Sequence, residues 1–178
     1  MTFILGIDPG SRLTGYGIIR TDGRQHTYVA SGCIKLTLTA SMTERLQQIF
    51  MSLQEIVKTY SPHEAAIEQV FMHQNAGAAL KLGQARGAAI VALADAAIPV
   101  AEYSARQVKQ SVVGYGAAKK EQVQHMVRVL LNLSGVPQVD AADGLAIALC
   151  HANSRQNVGK ITAQQLLVRG RFRRGRLR

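Results

Sequence analysis

The chain has 178 residues, 47% of them hydrophobic, which is enough to build the core of one compact domain without disulfide or metal staples. Its 21 Lys and Arg against 11 Asp and Glu give a formal net charge of +10, which favours a polyanionic partner, nucleic acid before a membrane surface. The two cysteines, Cys33 and Cys150, form no Cys-x-x-Cys pair, so neither a disulfide framework nor a structural zinc site is supported. The longest apolar stretch, 88–101, is broken by Asp95 and Pro99, so no membrane span is expected. The first residues, Met-Thr-Phe-Ile-Leu-Gly-Ile-Asp, carry no basic leader and too short an apolar run for a signal peptide, and the expected compartment is the cytoplasm.

Residues 3–8 read as a short buried strand, Pro9-Gly10-Ser11 turns the chain, and a second β-rich segment runs from Leu13 to Arg20. Asp22-Gly23 is a hairpin turn, and a third strand over 27–38 completes an antiparallel meander. Ser41-Met-Thr-Glu44 has the form of a capping box; Leu46, Ile49, Phe50, Leu53, Ile56 and Val57 then recur at helical spacing. Ser61-Pro62 ends that helix, and 65–71 reads as a buried strand carrying Glu68 near its end. The Ala-rich and Leu-rich segment 76–97 predicts a second long helix, and Ile98 to Tyr103 a strand that Pro99 assigns to a sheet edge.

A short helix over Gln107 to Val113 stops at Gly114-Tyr-Gly116, and Val123, Met126, Val127, Leu130 and Leu131 mark another over 119–132. The last expected element is a helix from Asp140 to about Ala152. Beyond it, six of the final ten residues are Arg with no acid among them, a composition expected to form a flexible basic arm. The expected division is therefore a folded domain over 1–155 and a tail over 156–178. A meander followed by alternating helices and strands predicts an α/β architecture, a mixed five-stranded sheet flanked by helices. Sites in such sheets lie outside the carboxyl ends of strands, where Asp8 and Glu68 fall if their strands are neighbours.

Four acids stand in or beside apolar segments that should be buried: Asp8, Glu68, Asp140 and Asp143. Each has an ordinary explanation alone. Asp8-Pro-Gly suits a turn, Glu68 could pair with a Lys or Arg, and Asp140 and Asp143 could cap and complement a helix start. Together, on a chain with few acids, they form a set of hard oxygen ligands suited to Mg²⁺ with open positions for phosphate. Two such ions about 4 Å apart favour in-line displacement at phosphorus, so the predicted chemistry is phosphodiester hydrolysis. Gly6, Gly10, Gly15 and Gly17 around the first acid indicate that another backbone or a phosphate comes close.

The segments Gly-Ile-Asp-Pro-Gly-Ser-Arg-Leu-Thr-Gly-Tyr-Gly, Ala-Ile-Glu-Gln-Val-Phe, Leu-Lys-Leu-Gly-Gln-Ala-Arg-Gly, Ala-Arg-Gln-Val-Lys-Gln and Asp-Ala-Ala-Asp-Gly-Leu-Ala-Ile-Ala occur in order between about residues 3 and 152. In these the chain resembles the RuvC-type Holliday-junction resolvases. The resemblance implies a ribonuclease-H-like fold, a homodimer and magnesium-dependent paired nicking of four-way DNA junctions during recombination and repair. The nicks would leave 5'-phosphate ends that ligase can seal. It also implies two Mg²⁺ ions per site, with Mn²⁺ able to substitute, held by Asp8, Glu68, Asp140 and Asp143, the last of which is His in some relatives.

By the same resemblance Phe71 stacks on an unpaired base, Lys109 and Lys120 contact phosphate, the 76–97 helix with Gly77, Gly83, Gly87 and Ala88 forms the dimer interface, and RuvA and RuvB are partners. His125 is left out of the site. Two alternatives remain at this stage, a related nuclease acting in ribosomal RNA processing and a protein that only binds branched DNA. The phosphate loop of sugar-kinase-type ATPases is also similar to the Asp8 segment, but those enzymes need two such domains.

Overall fold

In the computed structural model, backbone is described for residues 1–70 and 75–174 and side chains for 1–70 and 75–156. Strands β1 (Thr2–Asp8), β2 (Leu13–Thr21) and β3 (His26–Lys35) form the antiparallel meander expected. β4 (Glu64–Glu68) and β5 (Val100–Tyr103) add in parallel on the other side of β1, giving the order β3-β2-β1-β4-β5. β5 is an edge strand, and Pro99 immediately precedes it.

Helices α1 (Met42–Tyr60) and α2 (Ala76–Asp95) cover one face. α3 (Ala105–Val113), α4 (Lys120–Leu130) and α5 (Val139–Arg174) cover the other. Strand alternation divides the core between the two: Leu5, Ile18, Ala65 and Ile67 face α1 and α2, while Ile4, Ile19 and Ala66 face α3, α4 and α5. Among the described residues no helix is long and apolar enough to cross a membrane.

The capping box of α1 is present as read: the Glu44 amide donates to Ser41 Oγ at 3.3 Å, and the Ser41 amide donates to Glu44 Oε2 at 2.7 Å. A second box was not anticipated. Ser104 and Gln107 repeat it, which starts α3 two residues before the expected Gln107. α3 ends at Gly114, whose φ of 95° few other residues tolerate. β3 stops at Lys35 rather than 38, and β4 stops at Glu68 rather than 71. α5 begins at Val139 and runs on to Arg174, past the expected end near Ala152, because the Gln-rich, Arg-rich and Leu-rich sequence there contains no proline to stop a helix. The last four residues of the arginine arm, 175–178, lie outside the described residues.

Candidate active site

The parallel register of β1 and β4 pairs Ile7 with Ile67, so the next and last residue of each strand, Asp8 and Glu68, stand side by side at the same end of the sheet. α5 supplies the third wall. Its backbone lies directly on β1 and β2, where Gly6 faces Gly144 and Ala148, Gly15 faces Asp140, and Gly17 faces Leu145, each without room for a β-carbon. The close approach foreseen at these glycines is thus made by a helix backbone. At Gly10 the neighbour is the Leu13 carbonyl.

Pressed down in this way, the first turns of α5 bring Asp143 into a cleft of about 210 Å³ lined also by Asp8, Glu68, Lys109 and Lys120, with Ala105, Val108 and Val123 as its apolar floor. Asp140 is not in the lining. It is near enough that its charge disfavours ionisation of both Asp8 and Asp143. It does not serve as a helix cap, since α5 starts one residue earlier and the Gln138 carbonyl accepts the first backbone bond, from Ala142 at 2.8 Å.

The electrostatics are those of acids crowded together without enough counter-charge. Burial pushes the Asp8 carboxyl up to about 7, and the charges of Glu68, Asp143 and Asp140 add to this while Lys120 opposes it. Glu68 is raised by burial and then by Asp143, with Lys109 and Lys120 working against the shift. Asp143 is raised by burial, against the pull of Lys120, whose Nζ stands 3.5 Å from Asp143 Oδ2. Lys120 in turn holds its proton more tightly because of Asp143.

The donor set fits a divalent cation: hard carboxylate oxygens from three elements face one cleft, and their mutual repulsion is what a cation relieves. They are not closed round a point. Among the described residues no three His, Cys, Asp or Glu side chains already form a cage. Phe71 lies outside the described residues, on the segment that follows β4. His125 is exposed on α4 and does not line the cleft.

One contact was not foreseen from sequence. Arg86 of α2 donates from Nε to the Glu68 backbone carbonyl at 3.1 Å, and its Nη2 lies 2.6 Å from Glu102 Oε2 on β5. A lone arginine on a helix of Ala, Gly and Leu was the available signal. Its bonding partners become visible only once β4 and β5 are paired.

The family model described as "Crossover junction endodeoxyribonuclease RuvC" matches residues 4–151. The chain belongs to the RuvC family. A RuvC from Idiomarina loihiensis is 61% identical over 178 residues, covering 97% of this chain and 100% of that relative. The solved structure of T. thermophilus RuvC in complex with Holliday junction substrate superposes with a TM-score of 0.82 at 34% identity, covering 88% of this chain and 96% of that one. The yeast mitochondrial Holliday junction resolvase Ydc2, at 12% identity and a TM-score of 0.61 over 92% of this chain and 85% of its own, shares the fold. The ribonuclease-H-like architecture expected from sequence is therefore the one found, and RuvC relatives named as junction endodeoxyribonucleases favour neither the RNA-processing nor the binding-only alternative.

Proposed function

We propose that this chain resolves four-way DNA junctions by metal-dependent hydrolysis of one phosphodiester per cleft, two clefts acting together in a homodimer. The observation that carries this reading is the meeting of Asp8, Glu68 and Asp143 with Lys109 and Lys120 in one cleft of a basic protein. Acids alone would repel a phosphate backbone, and lysines alone would bind it without cutting. Here both line the same walls.

Asp8, Glu68 and Asp143 would hold Mg²⁺, or Mn²⁺ in its place, with Asp140 adding negative charge from just outside the cleft and entering the ligand set if its side chain turns inward. When bound as a pair, such ions turn a water into a nucleophile and stabilise the leaving oxygen of the displacement. Lys109 and Lys120 hold the scissile phosphate by its non-bridging oxygens and balance the charge that builds there. Phe71, carried on the segment that leaves β4 three residues after Glu68, stacks on a base unpaired at the crossover, which is less costly to displace than one in intact duplex.

The dimer forms along α2, where Leu80 and Val91 are 70% and 58% exposed, while a β-carbon added at Gly83 or Gly87 would meet nothing. RuvA and RuvB are the proposed protein partners and the cytoplasm the proposed compartment. Residues 1–155 form the nuclease domain, and 156–178 a basic tail for DNA. Incubating the protein with labelled four-way and linear duplex DNA, with Mg²⁺ and with chelator, tests the reading. Paired nicks are expected in the junction alone and only with metal; equal cutting of linear duplex, or cutting in chelator, overturns it.

A further inference from the structure

Arg86 stands on α2 between two things the proposed function treats separately, the dimer face and the carboxylates. Its side chain is 21% exposed, and one guanidinium holds the ends of two strands at once: Nε donates to the backbone carbonyl of Glu68, and Nη2 pairs with Glu102 on β5. Just beyond the strand, the Gln69 amide donates to the Tyr103 carbonyl at 2.8 Å. Backbone is described up to Val70 and again from Asn75, the N-cap of α2. Among the described residues, this side chain and the packing of Ile67 in one core with Ala85 and Ala89 join the strand end that carries Glu68 to α2.

We infer that Arg86 is a positioning residue for cleavage, transmitting the placement of α2 to the carboxylate of Glu68. The inference rests on the proposed reading of Glu68 as a metal-holding acid. The bond is made to the Glu68 carbonyl, so it fixes the residue without consuming its carboxylate oxygens. The pairing with Glu102 ties the same guanidinium to the neighbouring strand β5. Both acceptors are held by one planar fork whose donors have fixed relative directions; an ammonium has neither the fork nor the reach to replace it. Gly87, the next residue, belongs to the open face proposed for the second copy, so docking there sets the height of the helix from which Arg86 reaches.

The test uses the full chain and the variants Arg86→Met, Arg86→Lys and Glu102→Gln. Single-turnover cleavage of a pre-bound four-way junction is compared with junction Kd, thermal midpoint, dimer mass and amide exchange at Gln69 in the metal-free protein. Both Arg86 variants are expected to cut about tenfold or more slowly, with Kd within about twofold and dimer mass unchanged, and to exchange the Gln69 amide faster. They should also need several-fold more Mg²⁺ for half-maximal rate. Glu102→Gln, which keeps an acceptor oxygen, should lose less. Arg86→Lys cutting within twofold of the parent overturns the inference, as does a parallel fall of rate, affinity and thermal midpoint in all three variants. If Arg86→Met does not fold, the Arg86→Lys and Glu102→Gln results decide. Failure of the underlying reading looks different, because Asp8→Asn would then cut normally as well.

Discussion

Gly15 of β2 lies so close to the Asp140 carbonyl of α5 that no β-carbon fits between them. Together with the contacts at Gly6 and Gly17 this lets the helix lie flat on the sheet, and the height at which it lies decides where Asp143 enters the cleft. Gly15→Ala should force α5 outward at about 1–3 kcal/mol of overpacking, read as a lowered thermal midpoint. Cleavage at a temperature where the variant is fully folded should fall by more than the folded fraction explains. Full activity in the folded variant would show that the acids tolerate a raised helix.

Asp8 provides a pH signature. Its carboxyl ionises near 3.8 in the unfolded chain but stays protonated in the metal-free fold up to about 7. Between those values the folded state holds the extra proton, so this residue makes stability fall as pH rises, and the loss is complete above about 7. Denaturation by urea in chelator should therefore show the stability of the parent minus that of Asp8→Asn declining from pH 4 to pH 7, by an amount on the order of a few kcal/mol. Mg²⁺ should remove the decline. The same variant should keep junction binding and lose metal-dependent cutting by orders of magnitude. A flat difference across that range would mean that Asp8 is not desolvated among other acids.

The local features of this fold were legible where the signal is local. The Asp22-Gly23 hairpin, the Ser41 to Glu44 capping box and the apolar spacing of α1 each act within a few residues, and each stands where it was read. Glu68 was correctly placed near a strand end, but β4 stops on it because the pairing to β1 and β5 runs out there, which composition does not show. That Asp8 and Glu68 are neighbours depends on a parallel pairing of strands sixty residues apart, which no local pattern encodes. The placing of Asp140 outside the lining was missed for a similar reason: spacing of three puts two side chains on one side of a helix turn without saying how the helix sits on the sheet. Arg86 stood out only as a lone arginine on its helix, and nothing local named its acceptors, which are a main-chain carbonyl and a residue sixteen positions on.

Lys120 is the cation nearest to Asp143 and projects from the first turn of α4. Lys120→Met should leave Asp143 still harder to ionise, because the ammonium is the main influence lowering it. Cutting should fall on the order of a hundredfold through loss of charge at the phosphate, with only a small loss of junction affinity. The slope of log affinity against log salt should shrink by about 1. Lys120→Met with an unchanged rate under single-turnover conditions would place the lysine outside the chemistry.

Phe71 follows β4 by three residues, on the segment linking Glu68 to α2. If its ring opens the crossover by stacking, Phe71→Ala should reduce single-turnover cutting far more than binding, with a loss on the order of 1–3 kcal/mol in the barrier. Substituting an already unpaired base at the crossover should restore much of the rate, because the displacement has been done in advance. Equal losses of binding and cutting, with no rescue, would assign the ring to packing.

The arginines of the C-terminal arm should act on DNA through charge alone. Truncation after Val168 removes six Arg and no acid. Each phosphate neutralised by an arginine releases condensed counterions, and this makes binding steeply salt-dependent. Junction affinity measured from low to moderate salt should therefore show a shallower slope in the truncated chain, by about one for each arginine that touches phosphate. Cleavage of a junction already bound should keep its rate, since the cleft residues all lie before residue 144. An identical slope in the two chains would mean that the arm makes no contact with the phosphates, and a slower rate for pre-bound substrate would mean that it reaches the cleft.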